Sequence, residues 1–100
     1  MTTFVLCHGA WSGGWAWTGI ADILRERGHR VFVPTYTGLG ERAHLASPEV
    51  DLSTHISDVR ALIEWERLGE FALVGHSYGG MVITGVADKE WRKITKIVYL

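Results

Sequence analysis

The chain has one cysteine, two prolines and no excess of either charge, with 10 Lys and Arg against 11 Asp and Glu in 100 residues and a formal net charge of -1. A single cysteine excludes an intrachain disulfide and any metal site built on several thiolates. Cys7 sits inside an apolar run, where a small buried hydrophobe is expected rather than a reactive thiol. The charge balance removes both the basic field that nucleic acid requires and an acidic tail. Met1-Thr2-Thr3-Phe4-Val5-Leu6 has no basic n-region and no long apolar h-region. No window approaches the roughly 18 consecutive apolar residues of a membrane helix, and a cytoplasmic protein is the expectation. No repeat, low-complexity segment or linker divides the chain. What remains is a small, mostly uncharged molecule as partner, with no nucleic acid and no membrane; a homodimer stays open.

Hydrophobic residues make up 47% of the chain, enough for one domain with a modest core. Thr3 to Cys7 is apolar almost throughout, as a parallel strand buried on both faces should be. After the glycine-rich turn His8 to Gly14, Trp17, Ile20, Ala21 and Leu24 recur at helical spacing, giving a helix over Trp15 to Arg27 that Gly28 stops. Val31 to Val33 reads as a second strand, closed by Pro34 before a long loop, Thr35 to Val50. Asp51 or Ser53 caps a second helix carrying Ile56, Val59, Leu62 and Ile63, and Gly69 ends it. Phe71 to Val74 is a third strand, Met81 to Ala87 a third helix, and Ile94 to Leu100 a fourth strand. The order β-α-β-α-β-α-β predicts a predominantly parallel, doubly wound α/β sheet with the first strand between the second and third. That arrangement puts the His8 turn and the turn after the third strand side by side at the switch point where such sheets bind ligands.

The second of those turns carries Gly75-His76-Ser77-Tyr78-Gly79, with a strand before it and a helix after it. The Gly-x-Ser-x-Gly pattern alone would arise in about one random chain in fifteen of this composition, so its context is what gives it meaning. In a nucleophile elbow the serine is held in a strained backbone conformation, and Gly75 and Gly79 let strand and helix approach without side-chain clashes. Ser77 is therefore the candidate nucleophile. The oxyanion of a tetrahedral intermediate needs N–H donors: the Tyr78 N–H at the helix start is one, and the Ala10 N–H, aimed by a bend at Gly9, is the other.

A serine hydroxyl needs a base. His76 adjoins Ser77, but neighbouring side chains diverge at a sharp turn, so a packing role is expected for it. His8 belongs to the first turn, His29 opens a strand, His44 lies in the long loop, and His55, in the first turn of a helix, is expected at the surface. Asp22, Asp58 and Asp88 lie on helices and Asp51 is a cap, so none is placed to orient a base. In elbow enzymes the acid and then the histidine follow the serine in sequence, and both are expected after Leu100, which would leave these 100 residues inactive on their own. An apolar strand running to Leu100 likewise suggests the N-terminal part of a longer domain.

Two other patterns fail. Gly9-x-x-x-x-Gly14 has the spacing of a phosphate-binding loop, but Trp15 stands where its lysine belongs. Gly38-x-Gly40-x-x-Ala43 mimics a dinucleotide fingerprint, but Ser47-Pro48 leaves no room for the helix that must follow. Of the tryptophans, Trp15 and Trp17 read as core packing, whereas Trp11, in the turn, is a candidate substrate-binding residue.

His8-Gly9-Ala10-x-x-Gly13-Gly14-Trp15-x-Trp17, Gly28-His29-x-Val31 and Val74-Gly75-His76-Ser77-x-Gly79-Gly80-Met81 together resemble the α/β-hydrolase fold, in the branch of plant methylesterases, hydroxynitrile lyases and bacterial esterase-like relatives. The resemblance spans nearly the whole chain. It implies a Ser-Asp-His hydrolase acting on carboxylic esters through an acyl-enzyme, with Ser77 as nucleophile, Ala10 and Tyr78 as oxyanion donors, no metal or organic cofactor, and an inserted helical cap beyond Leu100. Hydroxynitrile lyases of this branch carry Thr after the first-turn His and Cys after the elbow Ser. Gly9 and Tyr78 stand there instead, which favours an esterase over a lyase. A ligand-binding receptor that keeps the fold but hardly turns over is the third reading. The loop from Thr35 to Arg42 resembles bacterial members more than plant ones.

Overall fold

The four segments expected as strands form one parallel sheet in the computed structural model, which describes residues 1–100. The strands are β1 (Thr3–Cys7), β2 (Arg30–Phe32), β3 (Phe71–Gly75) and β4 (Ile94–Tyr99), in the order β2-β1-β3-β4. The first strand is central, as the α/β reading requires. Its register pairs Val5 with Leu73 and Cys7 with Gly75, so β1 and β3 end level and their turns leave the sheet together.

Alternation along the strands divides the core between two faces. Val5, Cys7, Phe71 and Leu73 point to one face and meet Val59 and Ile63 of α2 (Leu52–Trp65) and Val82, Ile83 and Val86 of α3 (Gly79–Glu90). Leu6, Val31 and Val74 point to the other, where Trp17 and Ala21 cover them. Burying one fully enclosed side chain such as Phe71 contributes about 2 to 3 kcal/mol.

The helix expected over Trp15 to Arg27 is two pieces, a 3-10 turn at Gly14–Trp17 and then α1 (Thr18–Glu26). Only Ala21 of α1 is fully buried, while Ile20 and Ile23 are exposed, so apolar periodicity overstated how much of this helix packs. Gly28 follows in the left-handed region at φ 87°. Asp51 is the cap of α2: its carboxylate accepts from Thr54 N–H while the Asp51 N–H donates to the Thr54 hydroxyl. The long loop carries 3-10 turns at Gly40–Leu45, and its first residues are tied to the His8 turn and to α2, with Tyr36 completely buried. No helix is long and apolar enough to cross a membrane.

Candidate active site

Ser77 has φ 54°, a left-handed conformation that costs a non-glycine residue about 1 to 2 kcal/mol. Four backbone bonds hold it there. His76 N–H donates to the Cys7 carbonyl and Ser77 N–H to the Leu100 carbonyl, both at 3.1 Å, so the turn is gripped by the strands on either side of β3. Gly79 N–H and Gly80 N–H close back onto the carbonyls of His76 and Ser77 at 2.8 Å. Tyr78 N–H, between these spent donors, has no partner in the chain and stands at the start of α3, where helix N–H groups are unpaired and the dipole favours negative charge.

The glycines of the turn act through space rather than through φ. A Cβ on Gly75 would come within 2.5 Å of the Gly79 carbonyl oxygen. A Cβ on Gly9 would come 3.3 Å from His76 Nδ1 and 3.5 Å from Ser77 Cβ, so the first turn is packed directly on the second. Gly9 is outside the left-handed region, and the residue of this turn with positive φ is Trp11, at 60°. Ala10 N–H, like Tyr78 N–H, makes no hydrogen bond within the chain.

His8 is buried and committed. A carbonyl can only accept, so Nδ1–H donates to the Gly9 oxygen at 2.7 Å, leaving Nε2 to accept from Tyr36 N–H at 3.2 Å. Burial pulls its pKa below the ordinary imidazole value, against the Gly9 bond, which favours the charged form. The Tyr36 hydroxyl donates to the His8 carbonyl at 2.9 Å, and burial raises the pKa of that phenol.

His55 is not at the surface: it is 7% exposed. Its Nε2–H donates to the Thr37 carbonyl at 2.9 Å and its Nδ1 accepts from the Tyr78 hydroxyl at 2.6 Å. The sequence did carry a signal for this. His55, Val59, Leu62 and Ile63 fall at i, i+4, i+7 and i+8, on the apolar stripe of α2. Asp58, one turn on, accepts from Thr37 N–H at 2.6 Å and from its hydroxyl at 2.8 Å, so this carboxylate is tied to the long loop.

Ser77, His76, Gly9, Ala10, Trp11 and Leu100 line one cleft of about 520 Å³, together with Ala16, Trp17 and Ile20. The candidate nucleophile, one donor turn and the candidate binding aromatic thus share a cavity. Trp11 is 91% exposed. Trp17 is core, set edge-on to His76 with ring centroids 6.5 Å apart, but Trp15, expected in the core, is 59% exposed and lies against Gly13.

Residues 4–100 match the model of the alpha/beta hydrolase family. Over its full length the chain is 59% identical to a carbendazim hydrolyzing esterase of Nocardioides sp. (strain SG-4G), of which it covers 41%. Over 97% of its length it is 36% identical to an alpha-hydroxynitrile lyase of Arabidopsis thaliana, covering 38% of that protein. Among solved structures, 99% of the chain superposes with a TM-score of 0.90, at 35% identity, on 40% of an extracellular alpha/beta-hydrolase from a Paenibacillus species described as sharing structural and functional homology with tobacco salicylic acid binding protein 2. The chain therefore spans about two fifths of the length of the proteins it matches.

Proposed function

Because this chain belongs to the alpha/beta hydrolase family, we propose that the protein carrying it hydrolyses carboxylic esters with Ser77 as nucleophile. The observation that supports this most directly is the strained Ser77 facing a cleft beside two N–H groups, of Tyr78 and Ala10, that have no partner in the chain. In this reading the Ser77 oxygen attacks the ester carbonyl carbon, a base takes the hydroxyl proton, and the carbonyl electron pair moves onto the oxygen held by the two N–H groups. Collapse of the intermediate expels the alcohol, which takes the proton from the base. Water then attacks the acyl-serine and releases the acid. His8 and His55 are committed to other bonds and no hydrogen bond joins His76 to Ser77, so we assign the base and its orienting acid to a part of the protein outside this chain, which covers 41% of its relative at 59% identity. The site needs no metal or organic cofactor.

The relative at 59% identity is named for carbendazim, which makes that compound, beside a simple aryl ester, the first substrate to test on the full-length protein. A fluorophosphonate should give one adduct on Ser77, absent from Ser77→Ala, with ester hydrolysis lost in parallel. No adduct on Ser77 would overturn the hydrolase reading. Cyanohydrin cleavage without ester hydrolysis would select the lyase, and stable small-molecule binding with neither activity would select a receptor.

A further inference from the structure

Two consecutive loop residues, Tyr36 and Thr37, each end a hydrogen-bonded chain that begins beside a candidate oxyanion donor, one at the Gly9 carbonyl of the peptide that carries the Ala10 N–H and the other at the Tyr78 hydroxyl. We propose that this dipeptide is a clamp that sets both halves of the oxyanion hole, acting through His8 on one side and His55 on the other. The proposal rests on the hydrolase reading given above.

The first chain runs from Tyr36 N–H to His8 Nε2 at 3.2 Å and from His8 Nδ1–H to the Gly9 carbonyl at 2.7 Å. The Gly9 carbonyl and the Ala10 N–H belong to one planar trans peptide and point in opposite directions. A bond that fixes the carbonyl therefore fixes the direction of the N–H. The Tyr36 hydroxyl grips the His8 carbonyl as well, at 2.9 Å, so His8 is held by both its main chain and its ring.

The second chain runs from the Thr37 carbonyl to His55 Nε2 at 2.9 Å and from His55 Nδ1 to the Tyr78 hydroxyl at 2.6 Å. It anchors the side chain of the residue whose own N–H is the second donor. Thr37 cannot drift, because Asp58 accepts from both its N–H and its hydroxyl. The Tyr36 ring lies between the two histidines, stacked on His8 at 4.0 Å and on His55 at 5.0 Å, and it meets the Tyr78 ring edge-on at 6.0 Å. The two arms thus share one rigid, buried centre. A donor displaced by about 1 Å loses most of its preference for the transition state, so positions outside the reacting shell can govern the rate.

The arms differ in stiffness. His8 holds the donor peptide itself, whereas Tyr78 is held at the far end of a side chain, so the His8 arm should matter more. Asparagine can place an amide N–H where His Nδ1–H stands but offers nothing at Nε2, and leucine can do neither.

The test uses the full-length protein, with kcat and KM on an aryl ester and inhibition by a trifluoromethyl ketone, which forms a tetrahedral adduct on the serine, and by the matching methyl ketone, which does not. Tyr78→Phe keeps the ring and the backbone N–H and should lower kcat about tenfold with KM within about twofold. It should weaken the trifluoromethyl ketone by the same factor and leave the methyl ketone unchanged. His8→Leu should lower kcat about 100-fold, towards the loss of a whole donor, and His8→Asn should recover at least about fivefold of that. If His8→Leu does not fold, Tyr78→Phe and His8→Asn decide the matter. An active wild type whose folded Tyr78→Phe and His8 variants keep kcat and trifluoromethyl ketone affinity within about twofold overturns the clamp alone. A wild type with no Ser77 adduct and no hydrolysis overturns the clamp together with the hydrolase reading.

Discussion

The carbonyl oxygen of Cys7 occupies the volume that a Cβ on Gly79 would need. The His8 carbonyl oxygen would lie 2.8 Å from the same Cβ. Both are backbone atoms at the end of β1 and cannot swing aside as a side-chain tip could. The start of α3 is thereby seated on β1, and that seating fixes the angle of the turn carrying Ser77. Gly79→Ala should cost about 3 kcal/mol, the upper range for overpacking, read as a lower urea midpoint of the full-length protein, and should abolish Ser77 labelling. Gly69→Ala is the control: nothing lies within 4 Å of its Cβ, and a change within about 0.5 kcal/mol is expected. Equal effects at the two positions would refute the packing argument.

Cys7 lies under the same junction with no exposed surface. Burial pushes its thiol up to about 12. At pH 8 its thiolate population is then about a thousandfold below that of an ordinary cysteine, before access is considered. The peptide containing Cys7 should resist iodoacetamide in the native protein and be alkylated fully in guanidinium, as read by mass spectrometry. Native alkylation at the rate of a free thiol would show that the β1 end opens readily.

The pH dependence of stability follows from His8. Its folded pKa is depressed by burial, so the unfolded chain binds more protons between the lowered folded value and the unfolded value of about 6.5. The stability contributed by the neutral, doubly bonded imidazole is complete above about pH 6.5 and is lost as the pH falls towards the folded value. Glu41 and His55 are the charged or titratable groups that act on it, the first favouring and the second opposing protonation. Urea midpoints between pH 5 and 7.5 should fall on the acid side in the wild type and flatten in His8→Asn. An identical acid slope in both proteins would remove His8 as the cause.

The sheet was legible because β1 and β3 are short apolar runs, because β4 carries Ile97-Val98-Tyr99, and because the β-α order leaves few ways to arrange them. Ser77 and its flanking glycines were legible because the turn demands those residue types. His55 was misplaced because a polar residue in a first helical turn is ordinarily solvated; only its i, i+4, i+7 relation to Val59 and Leu62 marks the buried face. The part played by Tyr36 and Thr37 could not be read at all. It depends on the loop between Thr35 and Val50 folding back onto α2, and such a loop has no period to betray its path. In the first turn the positive φ falls on Trp11 rather than on a glycine, which no residue pattern announces.

Trp11 combines two properties that a residue kept for folding would not have. Its φ of 60° costs about 1 kcal/mol or more for a non-glycine side chain, and its ring is 91% exposed and so returns little burial energy. Yet Trp11 is among the residues that line the Ser77 cleft. If its value lies in contact with substrate, removing it should separate stability from activity. Trp11→Gly relieves the backbone strain and should leave the urea midpoint unchanged or raise it by the equivalent of up to about 1 kcal/mol. In the full-length protein it should raise KM for an apolar aryl ester about tenfold, the loss of an aromatic contact, with kcat changed far less. A lower midpoint with an unchanged KM would make Trp11 a folding residue and take it out of the site.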